Sequence, residues 1–314
     1  MIQFPGFGLE FNIDRVAFSL LGKEIYWYGL IIGFAVICAI IYGLYEAKRV
    51  GFDTNALLDL VIYGILSGIV GARIYYVLFN LKSYHSFWDM FKIWEGGIAI
   101  YGGLIAAVVV GFIYCKKKKQ NFLLALDVVS VPFLIGQAIG RWGNFVNREA
   151  FGAQTNLPWR MTIQNEFGQL VSVHPTFLYE SLWNVIGIVV LIIYRKKKKF
   201  TGELFALYMA WYGLGRLWIE GLRADSLMLG PIRISQLVAL LTAALGIFVI
   251  VKMRQIIDRR AQRQAAANTS SEDLPADEVA EEESAQVALQ EDAQPPAEET
   301  EGEMIVKPAP EPKL

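Results

Sequence analysis

Apolar residues run along this chain in long unbroken blocks, without the strict alternation of a half-buried strand or the narrow stripe of a soluble helix. Seven blocks approach the roughly 20 residues needed to cross a hydrocarbon core, at about 26–46, 57–79, 97–115, 122–140, 176–194, 203–221 and 233–252. Glycine-bearing faces such as Gly64–Gly68–Gly71 and Gly102–Gly103 suit close helix contact in lipid. Polar breaks between the blocks give a direction. Lys48 and Arg49 follow the first block, Lys116–Lys119 the third, and Arg195–Lys199 the fifth. Lys252, Arg254, Arg259, Arg260 and Arg263 follow the seventh. With seven spans these clusters fall on one side, so the positive-inside rule predicts a cytoplasmic C-terminus and an external N-terminus. The expected fold is all-α, a polytopic bundle of seven transmembrane helices.

Composition changes this picture at one end only. The 314 residues are 54% hydrophobic and 19% charged, with a mean hydropathy of +0.38, whereas soluble chains are about 25% charged. The formal net charge of −1 is a cancellation: residues 271–314 hold 14 acids and two lysines, which leaves the preceding 270 residues at +11. A simple soluble enzyme, a secreted disulfide scaffold and a nucleic-acid binder are excluded. The sequence predicts a membrane domain over 1–260 and an acidic cytoplasmic tail over 261–314, too poor in apolar residues to offset its ordering entropy. Cys38 and Cys115 lie in apolar runs and read as small buried residues. The opening MIQFPGFGLEFNIDRVAFSL lacks a basic n-region, so no cleavable leader is expected.

Ionisable residues within or at the ends of apolar spans are costly and by default mark function. Arg73 lies inside the second block and Arg141 ends the fourth. His174 precedes the fifth, and Arg216, Glu220 and Arg223 share one stretch of the sixth. Plain structural readings exist for each: an i,i+4 salt bridge for Arg216 and Glu220, snorkelling or internal pairing for Arg73, and loop orientation for His174. Taken together, Arg141, Arg216 and Arg223 form a candidate anion site, since the guanidinium fork matches phosphate and stays charged. At membrane depth that phosphate belongs to a lipid headgroup. An enzyme and a lipid or anionic-solute transporter both fit this site, although the odd number of spans and the lack of an internal repeat disfavour transport.

The run Gly140-Arg141-Trp142-Gly143-Asn144-Phe145-Val146-Asn147-Arg148-Glu149-Ala150-Phe151-Gly152 resembles the signature G-R-x-[G/A]-N-F-x-N-x-E-x-x-G of bacterial prolipoprotein diacylglyceryl transferases at every fixed position. Tyr26-Trp27-Tyr28-Gly29, His174-Pro175-Thr176 leading to Tyr179-Glu180, and Tyr212 through Glu220 look like further blocks of that family. The resemblance covers about 15–255. It implies transfer of the diacylglyceryl group of phosphatidylglycerol to the lipobox cysteine of a prolipoprotein signal peptide, forming a thioether and releasing glycerol phosphate. It also implies a multi-pass protein of the bacterial cytoplasmic membrane, with its site toward the outer leaflet and no cofactor, metal or nucleic acid.

By the same resemblance, Arg141 and Arg216 match essential arginines and are assigned to the headgroup phosphate, with Arg223 and Arg73 as further substrate contacts. Asn144 and Asn147 are expected to hydrogen-bond around the site, Gly152 to permit close chain approach, Glu149 to hold Arg141 or a neighbour, and Glu220 to orient Arg216. Tyr28 and Tyr212 are candidate donors to phosphate or glycerol, or simple interfacial tyrosines. One departure stands out. Where many members read G-G-x-x-x-H-G-G, this chain reads Gly96-Gly97-Ile98-Ala99-Ile100-Tyr101-Gly102-Gly103. A phenol ordinarily titrates near about 10 and is a poor base at neutrality. Tyr101 and His174 are therefore the candidates to assist the thiol, which must become a thiolate to attack. His85 lies in a loop with no other marker of function.

Overall fold

The computed structural model describes residues 1–84, 86–164, 168–223, 228–229 and 232–272. His85 and the acidic stretch after Glu272 lie outside the described residues. The chain divides into two compact units, Met1–Gln255 and Ile256–Leu314. The first holds the elements that form the site; the described part of the second is helical.

Seven long helices carry the fold: α1 (Trp27–Val50), α2 (Thr54–Phe79), α3 (Ile100–Lys117), α4 (Phe122–Asn147), α5 (Thr176–Tyr194), α6 (Glu203–Leu222) and α7 (Ile234–Glu272). Local chemistry sets several of their ends. Gly51 takes a left-handed φ of 71° to close α1. The Asp53 side chain accepts from Asn55 N–H to start α2, and Asn121 does the same for α4 through Leu124 N–H. Six of the seven are long and apolar enough to cross a membrane, which makes this an integral membrane protein. The exception is α6. It carries Glu203, Arg216 and Glu220 within 20 residues, so its mean hydropathy falls short although its length does not.

α4 and α5 are the centre of the bundle, with 44% and 39% of their apolar windows buried against 11% for α1 and α3. α1 packs on α4, α2 on α3, and α6 on both α4 and α5. Small residues allow the closest crossings. A Cβ on Gly71 would strike Ala106 and the Gly102 carbonyl of α3, and one on Gly213 of α6 would lie 2.5 Å from the Ala239 carbonyl of α7. Most large apolar side chains of α2 and α3, such as Ile62, Leu66, Ile105 and Phe112, face outward, as lipid-facing surfaces do.

The all-α expectation needs amending. Strands β1 (Ile2–Phe4), β2 (Leu9–Phe11), β5 (Met161–Gln164) and β6 (Leu170–Val173) form an antiparallel sheet in the order β2-β1-β5-β6. Two hairpins, β3 (Val16–Leu20) with β4 (Lys23–Tyr26) and β7 (Met228–Leu229) with β8 (Ile232–Arg233), complete the strands among the described residues. Strands of two to five residues are too short to show alternation in a sequence. The sheet packs Ile2, Phe4, Met161, Ile163 and Val173 against Phe145, Val146 and Phe177. It thereby fixes the ends of α4 and α5 relative to one another.

Candidate active site

The sheet core clamps the end of α4, and the signature run begins there. α4 stops at Asn147, and Arg148 and Ala150 both adopt left-handed backbone, at φ 57° and 56°. Neither is glycine, so the turn carries strain of the kind that collects at functional sites. The reversal folds Glu149 back on the helix: Asn144 Nδ2 donates to Glu149 Oε1 at 2.9 Å, and Glu149 N–H donates to the Asn144 carbonyl at 3.1 Å. Arg148 Nη2 donates to the Ile13 carbonyl at 2.8 Å, tying the turn to the N-terminal segment.

Two glycines of the run are spacers. A Cβ on Gly143 would lie 2.8 Å from the Tyr28 ring of α1. A Cβ on Gly152 would lie 2.6 Å from His174 Cβ and 2.9 Å from the Leu222 carbonyl. Gly152 N–H donates to the His174 carbonyl at 3.0 Å, and Ala153 N–H to the Leu222 carbonyl at 2.7 Å. The segment after α4 therefore stitches the entrance of α5 to the exit of α6.

That stitching brings three arginines together. Arg141 of α4 pairs through Nη2 with Glu180 Oε2 on α5. Arg216 of α6 lies 3.4 Å from Glu180 Oε1 and 2.5 Å from Glu220 Oε2. Arg223, just past α6, lies 3.9 Å from Glu180 Oε1 and 4.0 Å from Glu220 Oε2. The acids are the buried partners, with side chains 7% and 2% exposed, while the three arginines keep 22%, 19% and 12%. Arg233 donates to the Glu220 backbone carbonyl. Glu180, Tyr212 and Arg216 also line a small cleft with Trp183, Asn184 and Ile219. Among the described residues Arg141, Arg216 and Arg223 share the buried acids Glu180 and Glu220, and their partly exposed guanidinium forks suit an anion.

The other expected residues are distributed unevenly. Arg141 Nη1 also reaches Asn144 Oδ1 at 3.4 Å, which joins Asn144 and Glu149 to the cluster. His174 lies beside Gly152, with Nδ1 3.3 Å from the Tyr179 hydroxyl, which accepts from Trp159 Nε1 at 2.7 Å. Tyr212 stacks on Tyr208 with ring centres 6.0 Å apart. Tyr28 and Tyr101 are partly exposed near the starts of α1 and α3, and no hydrogen bond of either hydroxyl is formed among the described residues. Asn147 is half-buried at the end of α4.

Arg73 is not part of this group. It is 7% exposed and gives its donors to backbone carbonyls of the segment before α3. Nε reaches Met90 at 2.8 Å, Nη2 reaches Asp89 at 2.8 Å, and Nη1 reaches Gly96 at 2.5 Å and Gly97 at 3.0 Å. Its geometry is that of a loop clamp, in place of the expected substrate contact, because carbonyls already occupy its whole fork. Glu180, conversely, was absent from the expected site residues. Its signal is nonetheless present: it is the lone charged residue of the 19-residue helix α5.

A family model described as prolipoprotein diacylglyceryl transferase matches residues 15–252. Among curated relatives, the phosphatidylglycerol–prolipoprotein diacylglyceryl transferase of Finegoldia magna is 43% identical over 247 residues, covering 78% of this chain and 98% of its own. The protein of that name from Clostridioides difficile is 45% identical, covering 75% and 93%. The one from Thermotoga maritima is 44% identical, covering 79% and 88%.

Proposed function

The chain belongs to the prolipoprotein diacylglyceryl transferase family, and from that premise we propose that Arg141, Arg216 and Arg223 hold the phosphate of phosphatidylglycerol during transfer. The protein is an integral membrane transferase of lipoprotein biosynthesis that moves a diacylglyceryl group from phosphatidylglycerol to prolipoproteins. The finer reading is that the acceptor is the lipobox cysteine of the signal peptide and the product is a thioether with release of glycerol phosphate. The observation that carries it is the convergence of three guanidinium groups around one buried carboxylate at the end of the signature run.

Fixed guanidinium forks aimed at a phosphate stabilise the charge that develops on the leaving oxygen, and they do so without reorganising. In this reading Arg141 and Arg216 bind and polarise the phosphate, and Glu220 orients Arg216. Asn144 and Glu149 brace Arg141 from the signature turn, while Asn147 and Tyr212 contact the headgroup. Tyr28 meets the lipid at the start of α1. Gly152 gives the close approach that sets these groups, and Arg73 acts as a positioning residue that shapes the loop leading to Tyr101. Thiolate formation draws on the same positive field, assisted by Tyr101 or His174. No base with a preformed path to a thiol is needed if the field itself favours the thiolate.

The membrane reading extends this. We take α6 as a seventh span, because its charged positions are turned into the bundle onto Glu180 and the 195–203 loop, leaving its apolar face to lipid. The basic clusters after α1, α3, α5 and in α7 support an external N-terminus and a cytoplasmic C-terminus, with the arginine site in the outer leaflet of a bacterial cytoplasmic membrane. A membrane-domain boundary near residue 260 belongs to the same reading, as does the lack of any nucleic-acid partner.

The test is a transfer assay with purified full-length protein, phosphatidylglycerol and a synthetic lipobox peptide, read by the mass gained on cysteine. The expected result is a diacylglyceryl adduct that disappears when the cysteine is replaced by serine. No adduct with substrates that a known family member uses would overturn the reading and return the arginine site to anion transport.

A further inference from the structure

Among the described residues, Glu180 is the one acid approached by all three arginines. Arg141 comes from α4 against Oε2, and Arg216 and Arg223 come from α6 and its exit against Oε1. Both carboxylate oxygens are therefore braced, and with its side chain 7% exposed Glu180 has no route to swing into solvent. We infer that Glu180 is a charge discriminator: it weakens the hold of the arginine cluster on a doubly charged phosphomonoester by about twice as much as on a singly charged phosphodiester, and so limits retention of the product. The inference rests on the reading that these arginines hold the substrate phosphate.

The charges follow from the reaction. The thiolate sulfur bonds to the terminal carbon of the diacylglyceryl unit. The bond from that carbon to the phosphate oxygen breaks, and its electron pair leaves with the oxygen. The thiol proton has by then passed to a base or to water. Phosphatidylglycerol enters as a monoanion, whereas glycerol phosphate leaves with close to two negative charges near neutral pH, since a phosphomonoester loses its second proton near about pH 6. Coulomb energy scales with the product of the charges. Arginines alone would thus hold the product about twice as strongly as the substrate, and turnover would stall in a product trap. A fixed carboxylate inside the same cluster acts in the opposite direction with the same two-to-one weighting. Glu220 contributes too, but among the described residues its carboxylate meets only Arg216 and Arg223. Glu180 is the acid placed between the forks themselves.

A merely structural counterion makes a different prediction from a discriminator, because losing it would weaken every ligand alike. The experiment measures binding of two water-soluble probes to the full-length protein in detergent, by titration calorimetry and by inhibition of transfer. One probe is glycerol phosphate, the monoester. The other is glycerophosphoglycerol, the diester headgroup without acyl chains. Wild type is expected to hold the two probes within about tenfold of each other. Glu180→Gln is expected to tighten glycerol phosphate about tenfold relative to the diester, with kcat falling while KM for phosphatidylglycerol holds or drops. Glu180→Asp, which keeps the charge, should preserve the wild-type ratio. An unchanged probe ratio in Glu180→Gln, or equal weakening of both probes, overturns the inference. If the Gln variant does not fold, the wild-type ratio decides alone: a monoester held more than about a hundredfold tighter than the diester is a product trap and sinks it. Failure of the proposed function reads differently, as a wild type that holds both probes at similar strength but yields no lipidated peptide.

Discussion

Gly152 shows what a motif says and what it withholds. Its presence in the signature run was visible in the sequence, but its reason lies in two residues from distant stretches, His174 and the carbonyl of Leu222. Neither neighbour is a flexible side-chain tip, so Gly152→Ala must push the segment after α4 away from α5 and α6. Misplacement of a reacting group by about 1 Å can cost about 100-fold in rate. The expected outcome is a loss of that order in kcat with insertion and expression unchanged, checked by the peptide assay alongside membrane fractionation. Arg141→Ala and Arg216→Ala should each abolish transfer, and Arg141→Lys should rescue little, because a point charge cannot replace a fork shared between Glu180 and a phosphate. Near-normal activity in either alanine variant would undo the phosphate assignment. Tyr101 is a separate question. Its hydroxyl is unengaged, so a Tyr101→Phe enzyme that transfers normally assigns thiolate formation to the arginine field, whereas an inactive one places the phenol in the chemistry. The arginines are legible in the sequence because charge is costly at membrane depth; the role of Glu180 is not, because it depends on arginines from α4 and from α6 and its exit that only the fold brings to it.

Elements were easier to read where composition is extreme and harder where it is mixed. The predicted starts at 122, 176 and 203 coincide with α4, α5 and α6, since Asn121, the Pro175 turn and the glycine before Glu203 punctuate the chain. The sheet was illegible: its strands come from the first eleven residues and from 161–173 and pair across more than 150 positions. The loop from Arg195 to Gly202 gave a third kind of result. Its basic run served to orient the chain, yet the structure ties much of that charge to buried acids. Arg195 pairs with Glu46 at 2.6 Å and Lys198 with Asp127 at 3.1 Å. Glu203 receives Arg254 Nε at 2.5 Å, the Tyr194 hydroxyl at 2.8 Å and Lys199 N–H at 2.5 Å. Asp127 also accepts from the N–H groups of Gly202 at 2.8 Å and Phe205 at 3.0 Å. Replacing Glu203 by Gln leaves its partners facing a neutral group in a fully buried position. Because Arg254 is about one-third exposed, the expected cost is on the order of 2 kcal/mol, below the range for a fully buried pair. The check is a lower melting temperature in detergent with kcat per folded molecule intact. An equal loss of activity without loss of stability would mean that this end of the bundle communicates with the arginine site.

At the scale of the whole molecule, function turns on which side each end faces, and the two sets of charge are arranged for different tasks. One end holds three partly exposed arginines around buried acids, suited to binding an anion. The other holds basic runs with only part of their charge matched, as at the exposed lysines of 116–119, suited to staying in the cytoplasm. The two ends are distinguished by Leu21, at the tip of the β3–β4 hairpin and 96% exposed, and Lys118, the residue that follows α3. In a background with Cys38 and Cys115 replaced by alanine, a cysteine at position 21 is expected to react with a membrane-impermeant maleimide in intact cells, and one at position 118 only after the cells are opened. In the proposed reaction the lipid donor and the signal peptide both reach the site within the bilayer, so the chemistry alone does not dictate the side, and the proposed orientation rests on the lysines. Reversed labelling would put the arginines in the inner leaflet and overturn the proposed orientation. With the seven spans proposed above, the residues after Glu272 and the arginine site face opposite sides in either case, so truncation after residue 272 should leave the transfer rate unchanged in the peptide assay.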